Sequence, residues 1–139
     1  MSNYTDRFQA LMENYVEELE KADRNRKPGS GLFGFGRRPG DDPCHEVMDR
    51  QVGELAAEAA EASPEETAEL VRAILRAEGS LPWRESARLA VLAAQRHTLG
   101  LISRMEVEDR RETADWYEKT YPKRVRLPIQ KQIIQELRK

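Results

Sequence analysis

Apolar residues recur along most of this chain at steps of three and four, the spacing of one face of an α-helix. The pattern is densest in Ser86–Met105, SARLAVLAAQRHTLGLISRM, where eleven of twenty residues are apolar. Ala87, Ala90, Val91, Ala94, Leu101, Ile102 and Met105 share one face, and Leu89, Leu92, Ala93 and Leu99 form a second. A helix apolar on two sides needs neighbours on both, so this segment is expected to be a central helix. Arg88, Arg96 and Arg104 interrupt it. They leave no uncharged stretch long enough to span a bilayer. Gly100 is its weak point, costing about 1 kcal/mol against Ala inside a helix. The pattern leaves open whether the helix runs on to Tyr121 or restarts near Glu106.

Four other helices surround it in this reading. The first runs from Tyr4 to about Asn25, with Tyr4, Phe8, Leu11, Met12, Tyr15, Val16, Leu19 and Ala22 as its apolar stripe and Asn3 or Thr5 as its cap. The second opens on Asp42-Pro43, a natural cap followed by Pro at the first helical position. It turns Cys44, Val47, Met48, Val52, Leu55, Ala56, Ala59 and Ala60 inward and ends near Ala62. Ser63-Pro64-Glu65-Glu66 has the spacing of a capping box and starts the third helix, which carries Ala68, Leu70, Val71, Ile74 and Leu75 and stops before Gly79. Pro122 closes the helix-compatible stretch after Met105. Lys123–Leu127 is expected to be extended, because the residue before a proline is pushed out of the helical region. A last short helix spans Pro128 to about Leu137, burying Ile129, Ile133, Ile134 and Leu137.

No alternating strand pattern and no internal repeat interrupts this series. The expected fold is all-α: one domain over residues 1–139, a compact bundle of about five to six helices without a β-sheet. Residues 27–42 stand apart. Five glycines and two prolines there forbid regular structure, so a flexible loop is expected. Its glycine spacing does not match a phosphate-binding loop. Phe33 and Phe35, beside Arg37 and Arg38, are more than a plain linker requires.

Composition supports the helical reading. Aromatic residues make up 6% and charged residues 35% of the chain, whereas strands favour β-branched and aromatic side chains. A net charge of −2 gives no overall attraction to nucleic acid or membrane. The single cysteine, Cys44, excludes an internal disulfide framework and fits a reducing compartment. With no apolar leader at the N-terminus, a cytoplasmic location is expected.

Charge is unevenly spread within that balance. From Cys44 to Glu78 nine acids face three bases; from Lys119 to Lys139 seven bases face one acid. The basic connector and docking helix, residues 122–139, are therefore expected to lie against the acidic second and third helices of the same or a second subunit. The tail lacks the basic-plus-aromatic platform of a nucleic-acid binder.

One cluster carries reactive side chains. Cys44 sits near a helix N-terminus, where unsatisfied N–H groups favour a thiolate. His45 and Asp49 are one turn apart on one face, and His97, on the central segment, approaches them if the two helices pair. These four residues are the candidate metal ligands, although no ExxH or HExxH spacing occurs. No catalytic constellation and no cofactor fingerprint is present. The expected function is a non-enzymatic protein-interaction or self-associating module, a homodimer being one form of it, with Phe33, Phe35, Trp116 and Tyr117 as contact residues. The alternative is a small metal- or ligand-binding helical protein using Cys44, His45 and Asp49.

Overall fold

The structure is a computed structural model that describes residues 3–24, 43–77 and 85–139. Among the described residues, six α-helices, joined in part by 3-10 turns, make up an all-α bundle, and no strand occurs. They are α1 (Tyr4–Arg24), α2 (Pro43–Ala60), α3 (Pro64–Arg76), α4 (Glu85–Arg96), α5 (Val107–Thr120) and α6 (Pro128–Leu137). The segment 27–42, expected to be a flexible loop and home to Phe33 and Phe35, lies outside the described residues.

Helix starts follow the local chemistry. Asn3 caps α1: its Oδ1 accepts from the Asp6 backbone N–H at 3.3 Å, so Asn3 rather than Thr5 is the cap. Ser63 Oγ accepts from the Glu66 N–H at 3.2 Å, as its spacing predicts. The Thr67 hydroxyl donates back to the Ala59 carbonyl at 2.7 Å, which locks the turn between α2 and α3. In α6 the Gln130 Oε1 accepts from the Leu127 N–H at 2.8 Å, behind Pro128 in the first turn.

The helices bury their stripes against one another. α1 lies along both α2 and α3; α4 packs on α2, α3 and α6; α5 leans on α6 and α3. One apolar cluster results, fed by Tyr4, Phe8 and Met12 of α1, Val52 of α2, Leu70, Ile74 and Leu75 of α3, and Ile133 and Leu137 of α6. Val47 departs from the expected core stripe of α2: it is 41% exposed, because α1 and α4 cover the flanks of that helix on either side of it.

The central segment is not one helix. α4 ends at Arg96, and the chain continues through two 3-10 turns, His97–Gly100 and Ile102–Arg104. Met105 then turns extended, with ψ 152°, and α5 begins at Val107 behind Glu106. The break has a packing reason. Thr98 is buried and donates its hydroxyl to the Gln95 carbonyl at 2.6 Å, a carbonyl close to the end of the helical ladder. The tighter turns then drive Leu101, Ile102 and Met105 into the core against α3 and α6. The predicted apolar face is right wherever it is described: Ala90, Val91, Ala94, Leu101, Ile102 and Met105 are all buried. Only its single-helix geometry is not. Gly100 is exposed and marks no close crossing, since a Cβ built there meets nothing within 4 Å. Among the described residues, no helix is long and apolar enough to cross a membrane.

The C-terminal connector is extended at Arg126 and Leu127, as expected ahead of Pro128, but not in its first three residues. Lys123–Val125 forms a 3-10 turn, closed by the Val125 N–H on the Pro122 carbonyl at 2.9 Å. Arg126 fastens it to the end of α5, donating from Nε to the Tyr121 carbonyl at 2.7 Å. A cation at a helix C-terminus, among unsatisfied carbonyls, is favourably placed.

Candidate functional site

The residues that sequence singled out fall in three places. The first joins α2 to the turn after α4. His97 Nε2 lies 2.9 Å from Asp49 Oδ1, so two of the four candidate ligands do meet. Gly53, one turn beyond Asp49 on α2, faces the ring. A Cβ at Gly53 would lie 3.4 Å from His97 Cε1, so the imidazole rests directly on glycine backbone. The other two candidates do not join them. Cys44 precedes Asp49 by five residues, about 140° around the helix. His45 instead turns toward α1, its ring edge-on to Tyr15 with centroids 6.5 Å apart. Its Nδ1 is buried and has no hydrogen-bond partner among the described residues. No group of three or more His, Cys, Asp or Glu side chains converges as a metal cage among the described residues. The arrangement shown is a carboxylate–imidazole bridge that pins a 3-10 turn onto a helix.

The second place is the seam between α1 and α2. Two grooves of about 630 and 320 Å³ run along it and share Asn14 and Gln51. Leu11, Leu55 and Ala10 form the floor of one; Tyr15, Met48, Val47 and Cys44 that of the other. Arg7 and Glu58 pair across the larger groove. Glu46 and Glu54 on α2 are exposed and have no basic partner among the described residues. Arg50, also exposed, lies one turn from each of them on the same helix.

The basic tail does not lie against these glutamates within the chain. Arg138 reaches α5 instead, donating to Asp115 at 2.7 Å and Glu118 at 2.8 Å. The reason is proximity: α6 follows α5 and packs on it, so the nearest acids are those of α5. The Arg138 hydrogen bond holds the Glu118 carboxyl below the usual carboxylate range, and both carboxylates raise the Arg138 guanidinium. Lys119, Lys123, Arg124 and Lys131 stay exposed, without carboxylate partners among the described residues. Between them Val125 is 64% exposed.

The third place is a cleft of about 350 Å³ between the first turns of α1 and the last turns of α3, which sequence reasoning missed. Phe8 and Met12 line it from α1, Ala73 and Ala77 from α3. Thr5 and Glu69 close one end, with the Thr5 N–H and hydroxyl both donating to Glu69 Oε1 at 3.3 and 3.2 Å. The available signal was the small residues Ala73 and Ala77, one turn apart opposite an aromatic stripe. It can be read only once α1 and α3 are known to be neighbours.

The two aromatic contact residues within the described chain divide. Trp116 is half-buried, with the Arg76 guanidinium 5.8 Å from its ring centre. Tyr117, expected to be a contact residue, is wholly buried; its hydroxyl donates to the buried Gln95 at 3.4 Å and its ring meets Tyr121. It is a core residue because the α5 face that meets α6 includes position 117. Comparison of the chain with protein-family models, with curated proteins and with solved structures gave no match.

Proposed function

We propose that this chain is a non-enzymatic interaction module of the cytoplasm that assembles with further copies of itself. The basic face of one copy lies on the α1–α2 seam of the next. One observation carries this reading: two valines stay exposed, one beside the glutamates of α2 and one in the basic connector. Val47 sits beside the seam near the exposed Glu46 and Glu54, Val125 near the exposed Lys123 and Arg124. Opposite charges on the two surfaces steer and orient an encounter, while the apolar residues and the groove floor supply the burial. Because the two faces differ, a contact made once is head-to-tail and extends or closes into a ring. A two-fold pair that makes it twice is a homodimer.

Sedimentation velocity tests the reading. Association is expected at about 50 mM salt and should weaken at about 500 mM, where the Debye length falls below the reach of surface charges. Lys123→Glu with Arg124→Glu should abolish it, and mixing that variant with Glu46→Lys plus Glu54→Lys should restore it. A monomer at every concentration in low salt overturns the proposal. Association that the charge reversals leave intact overturns the assigned faces.

A further inference from the structure

The geometry points to a second binding site, independent of self-association: the cleft between α1 and α3 holds a small amphipathic carboxylate, its head on Arg76. The cleft's polar groups are spoken for with one exception. Thr5 is committed to Glu69, Gln9 Nε2 donates to Glu13 at 3.2 Å, and Arg72 Nη2 donates to Asp109 at 2.9 Å. Arg76 lines the same cleft and has no carboxylate partner among the described residues. Its guanidinium lies instead over the Trp116 ring. That contact engages the face of the group and no carboxylate, which leaves its N–H fork for an incoming anion; arginine binds a carboxylate through two parallel hydrogen bonds.

The rest of the cleft sets the ligand's class. Its floor is apolar, with Phe8 and Met12 almost wholly buried, and its volume of about 350 Å³ is at the small end of ligand sites. Glu69 and Arg76 are seven residues apart on α3, about 10 Å along the axis. A ligand of that length lies with its apolar body over Phe8, Met12 and Ala73 and its anionic end at Arg76. The Glu69 carboxylate at the far end repels a second negative charge, which disfavours dianions. An aryl or short acyl monocarboxylate meets all of these conditions.

The test uses hydrocinnamate and its neutral analogue hydrocinnamyl alcohol, titrated into the full chain and followed by ¹⁵N and methyl NMR. Hydrocinnamate should give saturable shifts centred on Met12, Ala73 and Ala77, and bind about tenfold more tightly than the alcohol, the difference expected of a charge-assisted pair. Arg76→Gln should erase that preference while leaving the spectrum otherwise intact, and Ala73→Leu should fill the cleft and abolish binding of both compounds. Should Ala73→Leu fail to fold, the exposed Arg76 variant still decides. The proposal is overturned by non-saturable shifts, by equal binding of alcohol and acid, or by an Arg76→Gln protein that keeps the preference for the acid.

Discussion

The break after Arg96 makes a prediction in which two substitutions have opposite signs. Ile102 is fully buried within the second 3-10 turn, between exposed Ser103 and buried Leu101. Ile102→Ala removes three carbons. At about 0.8 kcal/mol per buried methylene the transfer loss alone is roughly 2.4 kcal/mol. The cavity left behind adds to it, giving about 3–4 kcal/mol in all, within the range measured for such truncations. Gly100, two residues earlier, is exposed, its φ is not left-handed, and an added methyl meets nothing within 4 Å. Gly100→Ala should therefore stabilise by about 0.4–1 kcal/mol, through the unfolded chain. Urea unfolding followed by circular dichroism measures both. Thermal melts should move in parallel, about 10–15 °C downward for Ile102→Ala in a chain of this size. If residues 97–104 were the frayed end of a longer helix, Ile102→Ala would cost under about 1 kcal/mol and Gly100→Ala would raise the helical signal at 222 nm. That pair of results refutes the tertiary origin of the break.

Three further outcomes follow from particular contacts. Gly53→Ala places its methyl at ordinary contact distance from His97 Cε1, so the helix-propensity gain of up to about 1 kcal/mol should survive, whereas Gly53→Leu should displace His97 and shift its ring signals in NMR. Thr67→Val removes the hydroxyl that ties α3 to the end of α2 and should cost about 1 kcal/mol in urea unfolding. Glu118 has a folded-state pKa below its ordinary 4.5, chiefly through the Arg138 hydrogen bond. A depressed carboxyl contributes stability that is complete above its unfolded value and lost as pH falls through the folded one. Stability should therefore decline below about pH 4.5 by a small step that Glu118→Gln lacks, small because both side chains remain in contact with water. An identical acid profile for the two proteins counts against the assignment.

The candidate sites were legible in uneven degree. Asp49 and His97 could be nominated from sequence, since both are titratable and lie on apolar-patterned segments. That they meet, and that Cys44 and His45 do not join them, depends on the rotation of α2 against the turn after α4. The α1–α3 cleft had no sequence signature of its own, because alanines on one helix become a cavity only opposite a particular face of another. Tyr117 looked like a surface aromatic beside polar neighbours; α6 and Gln95 make it core.

Local physics determined the helices. Asn3, Ser63, Pro64 and Pro128 start them through backbone hydrogen bonds and fixed φ angles that act within a few residues. The three-and-four spacing sorts buried from exposed positions whatever the partner. Tertiary structure decided the rest. It exposed Val47, cut Ser86–Met105 at Arg96, and sent Arg138 to Asp115 and Glu118 rather than to the acidic second and third helices. Periodicity records that a face is apolar but carries no term for which helix covers it. Charge counts likewise carry no distances. Those choices belong to packing, where burying Leu101, Ile102 and Met105 together outweighs the hydrogen bonds of one longer helix.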